Sequence, residues 1–241
     1  RVNFGTRWVE ESVMEVFQED ISRFQIIMSQ ADVENPFEQL ERGEIPGLDA
    51  LQIHNGTVYR WNRPCYGVHD GKPHLRIENR VLPSGPSAAD EFANAAFWFG
   101  LVSAMARKYP SVPDVMDFSD AKANFMAAAR LGLASQFKWM DGRRIPASDL
   151  ICDELLPLAR KGLERADISS DDIDRYLGII RERIETGQTG SQWQLDSLHA
   201  LNDDRTVSER LNALTAATVH RQHAGDPVHT WALAEAHEAG E

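Results

Sequence analysis

From Val9 to Met28 apolar residues recur at helical spacing (Val9, Val13, Val16 with Phe17, Phe24, Ile27 with Met28), and Glu10, Glu11, Glu19 and Asp20 fill polar positions between them. That pattern predicts an amphipathic helix. Residues 32–50 carry Asn35-Pro36, Gly43, Pro46 and Gly47 among acidic residues, which reads as a turn-rich connection. The segment LQIHNGTVYRWNR (51–63) is rich in β-branched and aromatic side chains, and HLRIENRVL (74–82) alternates with period two. Both read as strands, antiparallel neighbours joined by a long hairpin loop over Pro64 to Pro73.

The run PSGPS then stops the second strand, and Ser87 followed by Asp90 starts a helix over 88–108. This helix, ANAAFWFGLVSAMA in its middle, is apolar on most sides and so is expected at the centre of the fold. Further helices are predicted at 119–133, 148–166, 170–186, 190–201 and 206–224, the last with a capping box from Thr206 and Glu209. Gly142, Gly162, Gly187 and Gly190 fall at or near the expected ends. No internal repeat or low-complexity tract occurs, and the tail AEAHEAGE reads as frayed. The fold class is therefore α+β, a small antiparallel sheet packed with a predominantly helical C-terminal region. The chain reads as a single domain over 1–241: helix and loop at 1–50, a hairpin at 51–82, a helical region at 83–230 and a tail at 231–241.

Length and composition narrow the function. A chain of 241 residues with 42% hydrophobic and 26% charged positions can bury a sizeable core. Its formal net charge is −12, which argues against a nucleic-acid partner dominated by phosphate contacts. Two cysteines, Cys65 and Cys152, are too few for a disulfide framework or a thiolate zinc site, read as packing residues, and point to a cytoplasmic location. No apolar run is long enough to span a membrane, and no signal pattern opens the chain. Because Arg1 stands directly before a predicted helix, the chain reads as a processed, truncated or engineered piece of something longer.

Chemistry concentrates in Arg76-Ile77-Glu78-Asn79-Arg80. On a strand, Arg76, Glu78 and Arg80 share one face while Ile77 and Val81 face the other way. Alternating charge on a solvated strand explains such a pattern without function. The preceding segment, however, adds His54, Asn55, Thr57, Arg60 and Arg63. Arginines at this density in an acidic chain point to a polyanion, and a carboxylate set among them points to a metal ion shared with phosphate.

The stretches HNGTVYRWNRP, LRIENRVLPSGP and DEFANAAFWFGL resemble the glutamate-cysteine ligase family of carboxylate-amine ligases, within the glutamine-synthetase-like superfamily. LLPLARKGLER and IETGQTGSQWQLDSL resemble, in order, the helical C-terminal part of those ligases, so the resemblance covers most of the chain. It implies ATP- and Mg2+-dependent joining of the glutamate γ-carboxylate to an amine, cysteine first, through an acyl phosphate. It further implies that Glu78 ligates the metal, that Arg80 and Arg63 contact the transferred phosphate or the substrate carboxylate, that Arg76 and Arg60 lie toward the nucleotide, and that His54, Asn55 and Thr57 belong to the substrate side. The remaining strands of such a site, with further metal-binding carboxylates, would come from an N-terminal half supplied in cis or in trans, and a homodimer is compatible with the pattern. On this reading the chain alone does not turn over ATP. A related ligase using another amine, or a helical binding or assembly module that keeps the scaffold without catalysis, are the rival readings.

Other motifs carry less. GVHDGKP (67–73) is one residue short of a phosphate loop and has no Ser or Thr after Lys72, so it reads as hairpin connector. His220 and His223 share a helical face without a third ligand, and Asn55-Gly56-Thr57 matches a glycosylation pattern that a cytoplasmic protein would not use. Asp90 and Asn94 read as braces for the site, and Trp193 and Trp231 as core anchors.

Overall fold

A computed structural model of the chain describes residues 2–30, 33–201 and 205–235. Arg1, His237 and all but Ala234 and Glu235 of the tail expected to fray (234–241) lie outside these residues, and Ala234 is buried. Among the described residues the chain divides into two units, up to Pro83 and from Ser84 onward. The division falls within PSGPS. The fold is α+β, mostly helical with small two-stranded sheets.

In the first unit, strand β1 (Val2–Asn3) pairs in parallel with β2 (Tyr59–Arg60). Helix α1 spans Met14–Arg23, shorter than the predicted 9–28. Its start is delayed because the Glu15 carboxylate accepts from the backbone N–H groups of Glu10, Glu11 and Ser12, which folds the preceding chain into a loop. Helix α2 (Pro36–Glu41) is capped by the Asn35 side chain. Helix α3 (Asp49–Thr57) takes residues 51–57 of the strand expected over 51–63, and strand is found there only from Tyr59 onward. Leu48 enters it from the left-handed region, φ 55°, and Thr57 closes it by donating to the His54 carbonyl. Two β-branched residues, Ile53 and Thr57, suggested a strand, but strand propensity reflects packing context more than backbone preference.

Strands β3 (Asn62–His69) and β4 (Lys72–Asn79) then form an antiparallel hairpin in a continuous register from Asn62↔Asn79 to His69↔Lys72. The expected long connector over Pro64 to Pro73 is itself strand. The reversal occurs at Asp70 and Gly71, whose positive φ values of 49° and 68° match the two-residue turns that fit strand twist. Pro64 is tolerated because β3 has no second strand partner, and its carbonyl accepts from the Asn55 side chain.

The second unit is built on α4 (Ala88–Lys108), capped by Ser87, followed by α5 (Phe118–Leu131) and a small hairpin of β5 (Gln136–Lys138) and β6 (Arg144–Pro146). A short α6 (Ala147–Asp149) runs through a π-helical turn at Leu150–Leu155 into α7 (Leu156–Glu164). Helices α8 (Ser170–Thr186), α9 (Gly190–Ala200) and α10 (Val207–Ala224) complete it, the last with the Thr206–Glu209 capping box, before a 3-10 turn at Val228–Thr230. Ala93 of α4, Leu156, Ala159 and Leu163 of α7, and Ile173, Leu177 and Ile180 of α8 form one core. Gly162 falls near the end of α7, as expected, at a point where a Cβ would collide with the Gly100 carbonyl of α4. A second core joins Trp193 and Trp231, edge to face at 5.0 Å, to Leu201, Ala213, Leu214, Ala217 and Val228.

Asp90 is fully buried and accepts from Arg183 Nη2 at 2.6 Å, Ser87 Oγ at 2.8 Å and the Val228 N–H at 3.0 Å, while Asn94 Oδ1 accepts from Arg183 Nη1 at 2.7 Å. This pair thus ties α4 to α8 and to the C-terminal turn. No helix among the described residues is long and apolar enough to cross a membrane.

Candidate active site

The hairpin register sorts its side chains onto two faces. Arg63 stands opposite Glu78, Cys65 opposite Arg76 and Gly67 opposite His74 on one face, while Pro64, Tyr66, Leu75 and Ile77 occupy the other. The polar face is organised round Glu78. Its Oε2 accepts from Arg63 Nη2 at 2.7 Å and its Oε1 from Arg80 Nη2 at 2.8 Å. Arg63 is the more enclosed of the two, and its Nη1 donates to the Asn55 carbonyl at 3.1 Å. Arg80 lies 5.0 Å over the ring of Tyr59, which meets Trp61 edge to face at 5.3 Å. The Arg63 guanidinium holds the Glu78 carboxyl below the usual carboxylate range; burial opposes this, and the Cys65 thiol, 3.5 Å away, and the charge of Arg80 support it.

Two guanidiniums on one carboxylate leave the cluster with a net positive charge. Donors are also in excess: Arg63 Nε, Asn79 Nδ2 and Arg80 Nε are buried and meet no acceptor among the described residues. Each buried donor left unpaired costs about 1–3 kcal/mol, so three beside one carboxylate call for an acceptor. The arrangement can hold an anion rich in oxygen acceptors.

The other residues singled out in the sequence are placed differently. Arg60 is buried and donates through Nε to Asp20 Oδ1 at 2.9 Å and through Nη2 to Glu19 Oε2 at 2.6 Å, so α1 holds it rather than Glu78. Because residues 51–57 are helical, His54, Asn55 and Thr57 do not lie on the hairpin face. His54 Nε2 meets the Phe24 carbonyl at 2.9 Å beyond the end of α1, and Thr57 caps its own helix. Asn55 alone of the three reaches the hairpin, through the Pro64 carbonyl and Arg63. Arg76 contacts the His74 ring, Nη1 to Nε2 at 3.1 Å, and has no carboxylate partner among the described residues.

Sequence reasoning missed Tyr59, and it treated Cys65 as packing only. The signal that finds Cys65 is the Asp70-Gly71 turn. Once the reversal is set there, counting outward puts Arg63 across from Glu78 and Cys65 across from Arg76.

An open groove of about 760 Å³ runs along the same hairpin, bordered by Gly47, Gln52, Tyr66, Gly67, His74 and Arg76. Among the described residues no group of three or more His, Cys, Asp or Glu is placed to hold a metal ion, which applies also to His220 and His223. Glu78 by itself suits a magnesium ion. Magnesium takes oxygen donors and is commonly held by one or two carboxylates together with substrate phosphates and water. The Glu78 side chain is 35% exposed at the rim, so one of its oxygens can exchange an arginine for such an ion.

Neither the curated proteins nor the solved structures give a match. The family model for glutamate-cysteine ligase family 2 (GCS2) matches residues 10–225, a span that contains the hairpin, the Glu78 cluster and the helices that follow. With most of its length matched in this way, the chain belongs to the glutamate-cysteine ligase family 2.

Proposed function

We propose that this protein takes part in ATP- and Mg2+-dependent ligation of the glutamate γ-carboxylate to an amine, cysteine in the first instance, in the cytoplasm. The observation that carries this reading is Glu78 held between Arg63 and Arg80, with three buried donors left over beside it. Membership of a carboxylate-amine ligase family supports the reaction class, and two free cysteines fit a reducing compartment.

In this reaction a γ-carboxylate oxygen of glutamate attacks the terminal phosphorus of ATP, the bond to the bridging oxygen breaks, and ADP leaves. The amine nitrogen then attacks the acyl carbon, the carbon–oxygen bond to phosphate breaks, inorganic phosphate leaves, and the nitrogen gives up a proton. Both steps concentrate negative charge on phosphoryl oxygens. Arg63 and Arg80 are positioned to receive it, since Glu78 aligns their forks without neutralising both of them. Tyr59 supports Arg80 from beneath, and Asn55 fixes Arg63 through its carbonyl. A magnesium ion bound at Glu78 would neutralise further phosphate charge. His54 and Thr57 would act on the substrate side through the position of α3, and Arg60 on the nucleotide side through β2.

A second reading, a structural or assembly module, has one observation in its favour: both Glu78 oxygens already have arginine partners. Calorimetric titration with magnesium and a non-hydrolysable ATP analogue separates the two. Binding that is lost in Glu78→Ala and strengthened by glutamate supports the ligase reading. Binding indifferent to Glu78 and Arg80 overturns it.

A further inference from the structure

Helix α4 carries aromatic side chains on two faces, and only one of them finds a core. Phe97 packs with Ala93 against the apolar residues of α7 and α8, and Gly100 lies against the Ala159 carbonyl of α7. On the other side Phe92, Ala95, Phe99, Val102 and Ala106 recur at spacings of three and four, and so form one stripe about 21 Å long. Phe92 is 62% exposed, Phe99 67% and Val102 48%. The ring of Tyr176 in α8 borders the stripe, 5.9 Å from that of Phe92. A continuous apolar stripe left in water on the central helix of the unit marks a contact surface.

The charges at its two ends are symmetric about Phe99. Glu91 precedes Phe99 by eight positions and Arg107 follows it by eight, about 12 Å in each direction. Both are exposed, and they flank the stripe on opposite sides. Phe92 and Ala106 stand seven positions from Phe99 in the two directions, a large side chain set against a small one, and Ala95 and Ser103 stand four. An isologous interface needs a surface that complements itself, and this one does so in charge and in size. We propose that the outer face of α4 pairs antiparallel with the same face of a second copy of the chain, across a two-fold axis at Phe99. Each Glu91 then meets Arg107 of the other copy, each Phe92 lies over Ala106 of the other copy, and the two Phe99 rings meet between Ala95 and Ser103. A crossing angle of about −50°, the commonest between packed helices, brings the flanking charges over one another. An unrelated peptide or a lipid surface would cover the apolar stripe but has no reason to match these spacings. The pairing does not depend on the ligase chemistry.

The test is sedimentation of the intact chain between about 1 and 100 μM, where a small helix-face interface should give a measurable dimer. Phe99→Asp, which puts two carboxylates on the axis, should weaken dimerisation about 100-fold or more. Arg107→Glu, which sets two carboxylates against each other at both ends, should weaken it about tenfold. Reversing both charges, Glu91→Lys with Arg107→Glu, should return it to within about threefold of the parent. All three positions are exposed, and circular dichroism with the unfolding midpoint checks that the variants keep their fold. In the parent Glu91 also accepts from the Gly85 N–H at 3.2 Å, a bond that lysine loses, so recovery in the double variant reports the pairing rather than a more stable monomer. A parent that stays monomeric at 100 μM overturns the proposal, whether the first unit or another molecule covers the face. Dimerisation that ignores Phe99→Asp, or a loss in Arg107→Glu that the double reversal does not recover, overturns it as well.

Discussion

Two charge clusters in the first unit are mirror images of each other. At Arg60, one guanidinium is held by two carboxylates, Glu19 and Asp20, and its side chain is 7% exposed. At Glu78, one carboxylate is held by two guanidiniums, Arg63 and Arg80, at the rim of the hairpin. The first is closed to solvent and, with Arg23 also paired to Glu19, is balanced in charge; the second is open and carries excess positive charge. Arginine density alone therefore does not locate an anion site. What separates the clusters is whether positive charge is in surplus and whether a ligand can reach it.

Breaking the closed cluster should have the largest effect. Arg60→Met leaves Asp20 buried and unpaired, and chemical denaturation should show the first unit destabilised by about 3–5 kcal/mol. If the loss is as small as for a surface pair, the cluster is not the tie between α1 and β2 that its geometry indicates. Breaking the open cluster should act on chemistry instead. Glu78→Gln is expected to lower glutamate-dependent phosphate release by the full-length protein about 100-fold or more. Its effect on stability should stay near 1 kcal/mol or below, because this carboxylate is partly solvated. Equal losses of turnover and stability would place Glu78 with Arg60 as a structural residue.

A finer probe is Tyr59→Leu, which removes the ring beneath Arg80 and leaves the ion pair with Glu78. Loss of about 0.5–1 kcal/mol of cation–π attraction should weaken ATP-analogue binding a few-fold with little change in the unfolding midpoint. The smallest effect expected is in the acid limb of stability, where Glu78 and Asp20 act with opposite sign. The folded Glu78 carboxyl is held below its unfolded value of 4.5, so its contribution is present above that pH and is lost as pH falls through the folded value. Burial raises the Asp20 carboxyl above its unfolded value of 3.8, against Arg60, so its contribution is full below that value and is lost as pH rises through the folded one. In the same cluster burial pushes Glu19 up, but Arg23, Thr6 and Arg60 together bring it below its ordinary value. Melting profiles across this range should therefore lose less on acidification in Glu78→Gln than in the parent, and more in Asp20→Asn. The same slope in all three would refute the contrast.

The helices of the second unit were legible because their ends are chemically marked. Ser87, Ser169, Thr189 and Thr206 each accept from a backbone N–H at a helix start, and Gly187 and Gly225 take left-handed angles after α8 and α10. These signals are local, and they put the helix at 88–108 and the one at 170–186 where they are found. The first unit was read less well for the opposite reason. Whether 51–57 is helix or strand depends on what covers His54 and Asn55, and that is α1 and the hairpin rather than their sequence neighbours. The face shared by Arg76 and Glu78 followed from strand periodicity. The partnership of Glu78 with Arg63 does not, because it depends on a reversal at Asp70-Gly71, which the glycines and prolines of 64–73 do not single out. The enclosure of Arg60 was not legible because composition cannot distinguish a cation left open from one already enclosed by acids forty residues earlier.

The bond from the Val228 N–H to Asp90 spans 138 residues of sequence. Synthesis proceeds from the N-terminus, so α4 emerges with its capping carboxylate already in place but lacking two of its three donors. Arg183 supplies one when α8 appears, and Val228 supplies the other only after α10 has been made. A ribosome product interrupted in between would keep a buried acid without its full set of partners. The second unit thus has a built-in order of completion, in which the start of its central helix is finished by a segment that follows α10.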